Sequence, residues 1–166
     1  MVGALVAMLR CLNEQVTALE QRLTNQFNAH PDAAIVRSQP GLGVVLGARV
    51  LGEFGDDAHR YATAKGRKAF AGTAPVTRSS GLRTVVVARA ACNQRLVDAC
   101  YLWAFAALTA SPGARRCYDA YRARGATHHQ ALRALGNRLV GILHGCLAHR
   151  TRYEEQLAWP VAETAA

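Results

Sequence analysis

Acidic residues and lysine are scarce in this sequence. Asp and Glu together number 11 against 20 Lys and Arg, and Lys65 and Lys68 are the only two lysines. The formal net charge of +9 is therefore carried almost entirely by arginine, whose planar guanidinium matches the oxygens of a phosphate group. A GC-rich genome would explain arginine in place of lysine, but it would not explain the excess of positive charge. The balance favours a polyanionic partner such as nucleic acid.

Paired cysteines and clustered metal ligands are also missing. The five cysteines are odd in number and scattered, and no Cys-x-x-Cys motif occurs, which argues against a disulfide framework and fits a reducing cytoplasm. His144, Cys146 and His149 supply three ligands at most, and their spacing would not place all three on one face of a helix. We therefore expect this chain to hold no metal ion and no other cofactor.

The sequence has no long apolar run. The N-terminal apolar stretch lacks a basic region before it and is followed at once by polar residues, so it is neither a signal peptide nor a membrane span. Hydrophobic residues still make up 51% of the 166 residues, which is enough for a core and too much for wholesale disorder. The helical periodicity of most segments predicts a mainly α fold.

Residues 1–30 are predicted to form a coiled-coil-like helix. Six apolar residues alternate steps of four and three, as a heptad seam does: Leu5, Leu9, Leu12, Val16, Leu19 and Leu23. About three heptads are marginal for an independent coiled coil. Dimerisation and packing of the helix on its own domain therefore remain equal alternatives.

Residues 31–152 are predicted to form a compact helical domain, and residues 153–166 a disordered tail. Inside the domain, Pro40-Gly41-Leu42-Gly43 precedes an apolar segment with helical spacing. This arrangement is similar to a helix-hairpin-helix element, in which Gly41 and Gly43 would expose backbone N–H groups to a phosphate. An ordinary tight turn between packed helices is the alternative.

Two later segments carry further expectations. Residues 93–109 are apolar on almost every face, which predicts a central buried helix. The helix that begins at Pro112 interleaves arginine and tyrosine, which indicates either contact with a nucleic-acid backbone or a solvated helix face. These residues are Arg115, Arg116, Tyr118, Tyr121, Arg122 and Arg124.

The segment best suited to chemistry is Ser79-Ser80-Gly81, which lies between Arg78 and Arg83. Two small hydroxyls beside arginines could serve a phosphate or a nucleophile, but serine and glycine are also ordinary turn residues. A β-branched run, Thr84–Val87, follows directly. The segment is therefore predicted as an irregular loop or a small β-hairpin.

Several blocks in this order and spacing resemble one known family. They are Pro40–Asp56, Lys68–Gly81, Asn93–Leu96, Ala110–Arg115 and His128–Leu135. Together they resemble the C-terminal transposase domain of the DEDD-type, Piv-like insertion-sequence transposases, the recombinases guided by a bridge RNA. The resemblance covers about residues 30–150, and the heptad helix is similar to the coiled-coil segment that precedes this domain in the family.

The resemblance implies a serine nucleophile and a DNA-binding surface. Ser80, directly before Gly81, fits the family pattern better than Ser79, which is the alternative nucleophile. The resemblance and the positive charge together suggest a set of DNA-binding residues: Gly41, Gly43, Lys65, Arg67, Lys68, Arg78, Gly81, Arg83, Arg89, Asn93 and Arg95. Leu82 and Ala88 depart from the pattern, because the family would have Lys or Arg there.

The resemblance also implies partners. The family has an N-terminal RuvC-like domain with four acidic residues that bind Mg²⁺, and those residues are not in this sequence. We expect a truncated, bacterial, nucleoid-associated transposase that binds DNA and a bridge-type guide RNA, forms a homodimer or higher oligomer, and is inactive alone. A non-catalytic helical DNA-binding module, or a dimeric regulator of a full-length transposase, is the alternative.

Overall fold

The computed structural model describes residues 2–57 and 60–160. Helices and strands follow each other as α1 (Val2–Ala29), α2 (Ala33–Ser38), α3 (Val44–Phe54), α4 (Ala64–Phe70), β1 (Val76–Ser80), β2 (Arg83–Val87), α5 (Gln94–Ala110), α6 (Pro112–Ala123), α7 (His128–His149) and α8 (Glu155–Ala158). The predicted mainly α fold is confirmed. Within these residues no helix is long and apolar enough to cross a membrane.

The centre of the fold is the pair α5 and α7, around which α3, α4 and α6 pack. Trp103 of α5 and Leu132, Leu135 and Leu139 of α7 are completely buried. Fully burying one such side chain is worth about 1.5–3 kcal/mol, so these residues dominate the core. Both helices begin at a side-chain cap, and α7 has the reciprocal Thr127–Gln130 capping box.

Helix α5 is central, as predicted, but it is not buried on every face. Leu102 is 49% exposed and Phe105 is 56% exposed, although six other residues of the helix are buried. The predicted central position is therefore correct, but burial of the helix is only partial. The helix carries apolar residues on more faces than its neighbours α3, α6 and α7 cover.

Helix α1 is almost entirely solvent-exposed. Phe27 is its one buried residue among those described, and it lies against Gly47 and Val36, where a Cβ on Gly47 would stand 3.2 Å from the Phe27 ring. All six residues of the heptad seam are exposed, from 38% at Leu23 to 62% at Leu19. The alternative in which the seam packs on its own domain is therefore wrong, and dimerisation stays a prediction.

The C-terminal segment is ordered further than the predicted boundary at residue 153. Trp159 is 6% exposed and packs so closely on α6 that a Cβ on Gly113 would lie 2.1 Å from its ring. The Glu155 carboxylate accepts hydrogen bonds from the Gly113 N–H at 2.7 Å and the Ser111 hydroxyl at 2.9 Å. We call residues 153–160 the C-terminal clasp. Residues 161–166 of the predicted tail lie outside the described residues.

Strands β1 and β2 form an antiparallel hairpin whose register runs from Val76 opposite Val87 to Ser80 opposite Arg83. Gly81 and Leu82 make the two-residue turn, and Gly81 has a φ of 56°. Glycine in the first turn position with positive φ is typical of a tight hairpin turn that matches the twist of the strands. Of the two alternatives for this segment, the structure has the small hairpin rather than the irregular loop.

Candidate active site on an exposed hairpin

Ser80 shares one face of the hairpin with two arginines. Side chains alternate between the faces of a strand, so Arg78 and Ser80 project to the same side of β1. Arg83 is the ladder partner of Ser80 and therefore projects to that side as well. All three residues are exposed. The hairpin thus presents a hydroxyl flanked by two guanidinium groups on one open surface.

Ser79 lies on the opposite face and already has a partner. Its hydroxyl and that of Thr84, the residue across the ladder, are 3.2 Å apart. Within the described residues the Ser80 hydroxyl has no hydrogen-bond partner, and no carboxylate or histidine contacts it. The two serines therefore differ in the face of the hairpin on which they lie and in their neighbours.

The hairpin projects away from the helical body. Its strands pair with each other, and eight of their ten residues are exposed, the exceptions being Val76 and Val87 at the base. Leu82 at the tip is fully exposed, and Ala88 at the base is exposed too. Neither residue is basic, so the positive charge of the two strands and their turn comes from Arg78 and Arg83.

The Pro40–Gly43 turn is packed against α5. Gly41 has a φ of 79°, and a Cβ there would lie 2.7 Å from the backbone nitrogen of Ala107. The Trp103 indole N–H donates to the Pro40 carbonyl at 2.9 Å. Gly41 is thus required by a tight turn in close contact with a helix, which is the alternative to the helix-hairpin-helix interpretation. Gly43 is exposed at the start of α3, with open space around it.

Arg67 is buried, contrary to its predicted place on the DNA-binding surface. It is 6% exposed, and its guanidinium carbon lies 4.9 Å from the Phe54 ring centroid and 4.6 Å from that of Tyr61. Burial lowers the pKa of its guanidinium from the ordinary value. The basic run Lys65–Lys68 indicated an exposed face, but an aromatic pocket covers this member of it.

Asn93 also makes its contacts inside the fold. Its side-chain oxygen caps α5 by accepting from the Leu96 N–H at 3.2 Å, and its amide nitrogen donates to Glu53 at 2.7 Å. The neighbouring Arg95 is 81% exposed and lies 4.0 Å from Glu53. Lys65 is fully available on the surface of α4, whereas Arg89 and Lys68 are half-buried.

Sequence reasoning missed a cationic cleft that the fold assembles from separate segments. A cavity of about 750 Å³ lies between α6, α7 and the C-terminal clasp. Its lining, in the part of the chain that the structure describes, includes Lys68, Arg116, Arg124 and Arg138 and no acidic residue. A second cavity of about 360 Å³ shares Tyr121, Ala134 and Asn137 with the first and extends to the base of β2. The interleaved arginines and tyrosines of α6 were the one signal of it in the sequence.

The described residues do not suit the Mg²⁺ that the family resemblance implies. They hold no group of three or more His, Cys, Asp or Glu placed to bind a metal. Asp32, Asp56 and Asp57 line one cavity, but Arg67 and Arg150 line it as well. Asp32 is paired with Arg150, and Asp56 lies 3.3 Å from His30. Mg²⁺ needs several oxygen ligands in a near-octahedral arrangement, and competing cations oppose this.

Comparison with known proteins identifies the family to which this chain belongs. Residues 33–119, which include the hairpin, match the transposase family IS116/IS110/IS902. This chain belongs to that family. It is 46% identical over 98% of its length to a mini-circle protein for IS117 of Streptomyces coelicolor that is named as a transposase, and this match covers 40% of that protein.

Two further relatives come from insertion elements. The chain is 37% identical to the 43.6 kDa protein of IS110 from Streptomyces coelicolor, and the match covers 94% of this chain and 38% of the relative. It is 33% identical to the 42 kDa protein of IS900 from Mycobacterium paratuberculosis, over 99% of this chain and 40% of the relative. The chain thus spans about two fifths of the length of these relatives.

Proposed function

We propose that this chain supplies the nucleophile and part of the DNA-binding surface of an insertion-sequence transposase. The proposal rests above all on the position of Ser80 between Arg78 and Arg83 on one exposed face of the hairpin. Arginine pairs bind the non-bridging oxygens of a phosphate and stabilise the charge that develops on them during attack. A serine between two such groups is placed for chemistry on a phosphodiester.

The reaction is a transesterification. The Ser80 hydroxyl gives its proton to a base while its oxygen attacks the phosphorus of a DNA phosphodiester. The bond from phosphorus to one sugar oxygen breaks, and that oxygen takes up a proton. The DNA strand is then held by a diester between its phosphate and Ser80. This linkage replaces the broken phosphodiester, so the strand can be rejoined without another energy source. Attack by a sugar hydroxyl on this diester regenerates serine and a new phosphodiester.

The base that activates Ser80 comes, in this proposal, from outside the 166 residues. A serine hydroxyl is a weak nucleophile until a base or metal activates it, and no base contacts Ser80 among the described residues. The relatives are more than twice as long as this chain, which leaves room in them for an acidic, Mg²⁺-binding part. Alone, residues 1–166 would bind DNA without recombining it.

The hairpin has a suitable shape for duplex DNA. A two-stranded β-ribbon fits into the major groove, which is about 12 Å wide. The projecting β1–β2 hairpin would enter the DNA with its arginine-bearing face against the phosphates. Lys65 and Arg95, both exposed, would add contacts from the helical body.

The test is to trap the phosphoserine intermediate. The chain is mixed with end-labelled element-end DNA, Mg²⁺ and a separately expressed acidic half of a relative, and the products are separated on a denaturing gel. A labelled protein band is expected, and mass spectrometry should find the nucleotide remnant on the peptide that contains Ser80. A remnant on any other residue would refute the assignment.

The exposed heptad seam of α1 favours a second proposed role, self-association. Six apolar side chains along one line of a helix are costly to leave in water, and pairing with a second copy would bury them. Such a dimer could act within the transposase or could regulate a full-length one by pairing with it. A bridge-type guide RNA is a further proposed partner, to be sought by sequencing RNA that co-purifies with the chain.

A further inference from the structure

We propose that the cleft between α6, α7 and the C-terminal clasp binds the phosphate backbone of a single nucleic-acid strand. This site is separate from the Ser80 face of the hairpin and does not depend on Ser80 being a nucleophile. Four observations support it: the charge of the lining, the way its arginines are held, its concave shape, and its position next to a cavity at the base of the hairpin.

The lining is strongly positive. Lys68, Arg116, Arg124 and Arg138 face the same 750 Å³ cavity, and none of the described residues that line it is acidic. Two carboxylates of the adjoining elements are engaged elsewhere: Asp119 pairs with Arg115 at 2.9 Å, and Glu155 accepts hydrogen bonds from the start of α6. Cations that share a recess reinforce each other's potential, so the cleft attracts a polyanion.

Two of these arginines are held in place before any ligand arrives. The Arg138 guanidinium lies 4.5 Å from the Trp159 ring and donates to the Ala158 carbonyl at 3.2 Å. The Arg124 guanidinium lies 4.4 Å from the Tyr121 ring and donates to the Ala120 carbonyl at 3.1 Å. Side chains that are already ordered lose less entropy on binding.

The shape of the cleft favours a single strand over a duplex. Proteins contact duplex DNA by inserting helices or ribbons into its grooves, and a recess does not do this. Single strands are instead held in positively charged grooves that follow the backbone. A volume of about 750 Å³ falls within the range of about 300–1,000 Å³ that is usual for ligand sites, which suits a few nucleotides.

The cleft is also connected to the hairpin. Tyr121, Ala134 and Asn137 line both this cavity and the smaller one, and the smaller one is bordered by Val86 and Val87 at the base of β2. The two cavities are therefore neighbours, and together they lie between the clasp and the hairpin. A strand separated at the hairpin would have a positively charged path along α7.

The test measures the binding of fluorescein-labelled oligo(dT) and oligo(U) of about 12 nucleotides, within the site sizes of about 4–16 seen for single-strand binders. The variant replaces Arg116, Arg124 and Arg138 with Gln. We expect an affinity at least about tenfold lower, and a slope of log K against log salt that is smaller by about 2, since each phosphate contact contributes about 0.7.

The matched control removes three charges elsewhere, with Arg10, Arg22 and Arg152 replaced by Gln. These residues are exposed and make no hydrogen bond or ion pair within the described part of the chain, so the control should lose far less affinity. Equal losses in the two variants would overturn the proposal, because they would show only a general charge effect.

The remaining outcomes are decisive too. Loss of oligo(U) binding alone, or of oligo(dT) binding alone, supports the site and identifies the strand as RNA or DNA. A folded triple variant that binds both probes like the original chain refutes it. If circular dichroism shows that the triple variant is unfolded, the Arg116→Gln/Arg124→Gln variant, which keeps the Arg138–Trp159 contact, decides by the same criteria. If no covalent adduct forms at Ser80, the proposed function is refuted, but the result of this binding experiment is unaffected.

Discussion

Ser80 and Arg83 are the last pair of the hairpin ladder, directly opposite each other across the Gly81–Leu82 turn. Their side chains therefore project to the same face, next to Arg78. A one-residue change of register would put Arg83 on the face of Ser79 and leave Ser80 with Arg78 alone. The register of the five-pair ladder thus brings Arg83 to the face that Ser80 already shares with Arg78.

The first prediction concerns the choice of serine. Ser80→Ala should abolish the covalent protein–DNA adduct, because it removes the only hydroxyl among the described residues of that hairpin face. Ser79→Ala should retain the adduct, since the Ser79 hydroxyl faces Thr84 on the other side. The measurement is the labelled protein band on a denaturing gel. An adduct that survives Ser80→Ala and disappears with Ser79→Ala would reverse the assignment.

The second prediction concerns the arginines beside Ser80. Replacing Arg78 and Arg83 with Gln should weaken duplex DNA binding and reduce the slope of log K against log salt by about 2, because each phosphate contact to duplex DNA contributes about 0.9. Both side chains are exposed, so the thermal stability should not change. Binding is measured by fluorescence anisotropy across a salt series. The Arg10→Gln/Arg22→Gln variant, with two charges removed from α1, is the control and should keep a steeper slope.

Much of the fold could be predicted from local signals. Thr127 and Gln130 form the capping box of α7, a pattern of two residues three positions apart, and Gly72 follows the end of α4 with a positive φ of 69°. The segment around Ser80 could be narrowed to a loop or a hairpin, because a β-branched run followed it. These features depend on neighbours within a few residues, so they can be predicted from the local sequence.

Burial and long-range assembly could not be predicted in the same way. Arg67 looks like Lys65 in the sequence, yet the rings of Phe54 and Tyr61 enclose it. The cationic cleft combines Lys68 with arginines of α6 and α7, which lie some fifty to seventy positions along the chain from it. Such contacts arise from the packing of helices that are distant in the sequence, and hydrophobic periodicity within one helix does not predict them.

The third prediction is that α1 mediates dimerisation. Replacing Leu12 and Leu19 with Asp should give a monomer by multi-angle light scattering, because charged residues oppose burial of the seam. Both leucines are exposed in the single chain, so the thermal stability of the domain should stay the same. As a control, Ala18→Asp/Gln21→Asp adds the same charges off the seam and should remain a dimer. An unchanged mass for the leucine variant would contradict the prediction.

The fourth prediction concerns Gln39, which is 2% exposed. Neither Nε2 nor Oε1 of its side-chain amide has a hydrogen-bond partner in the described part of the chain. A buried polar group without a partner costs about 1–3 kcal/mol, so Gln39→Met, of similar size, should raise the free energy of unfolding by about 1 kcal/mol. Urea denaturation provides the measurement. Gln26→Met on the exposed surface of α1 should leave the stability unchanged.

The fifth prediction concerns Glu155, which joins the C-terminal clasp to the start of α6. Burial alone would raise the pKa of this carboxyl, but hydrogen bonds from Tyr153, Gly113 and Ser111 lower it below its ordinary value. Because folding lowers the pKa, the ionised form stabilises the protein above its unfolded pKa of about 4.3. This contribution is lost as the pH falls through the folded value.

Glu155→Gln should therefore lower the free energy of unfolding by about 1–2 kcal/mol at pH 7, since hydrogen bonds to a charged acceptor are lost. At a pH below the folded pKa, the original chain and the variant should be equally stable, because Glu155 is then neutral in both states. Urea unfolding followed by tryptophan fluorescence reports on this directly, as Trp159 is buried in the clasp. Glu154→Gln changes an exposed neighbour and should have no effect at either pH. A difference between the Glu155→Gln variant and the original chain that persists unchanged at low pH would show that packing, and not the ionised carboxylate, holds the clasp on α6.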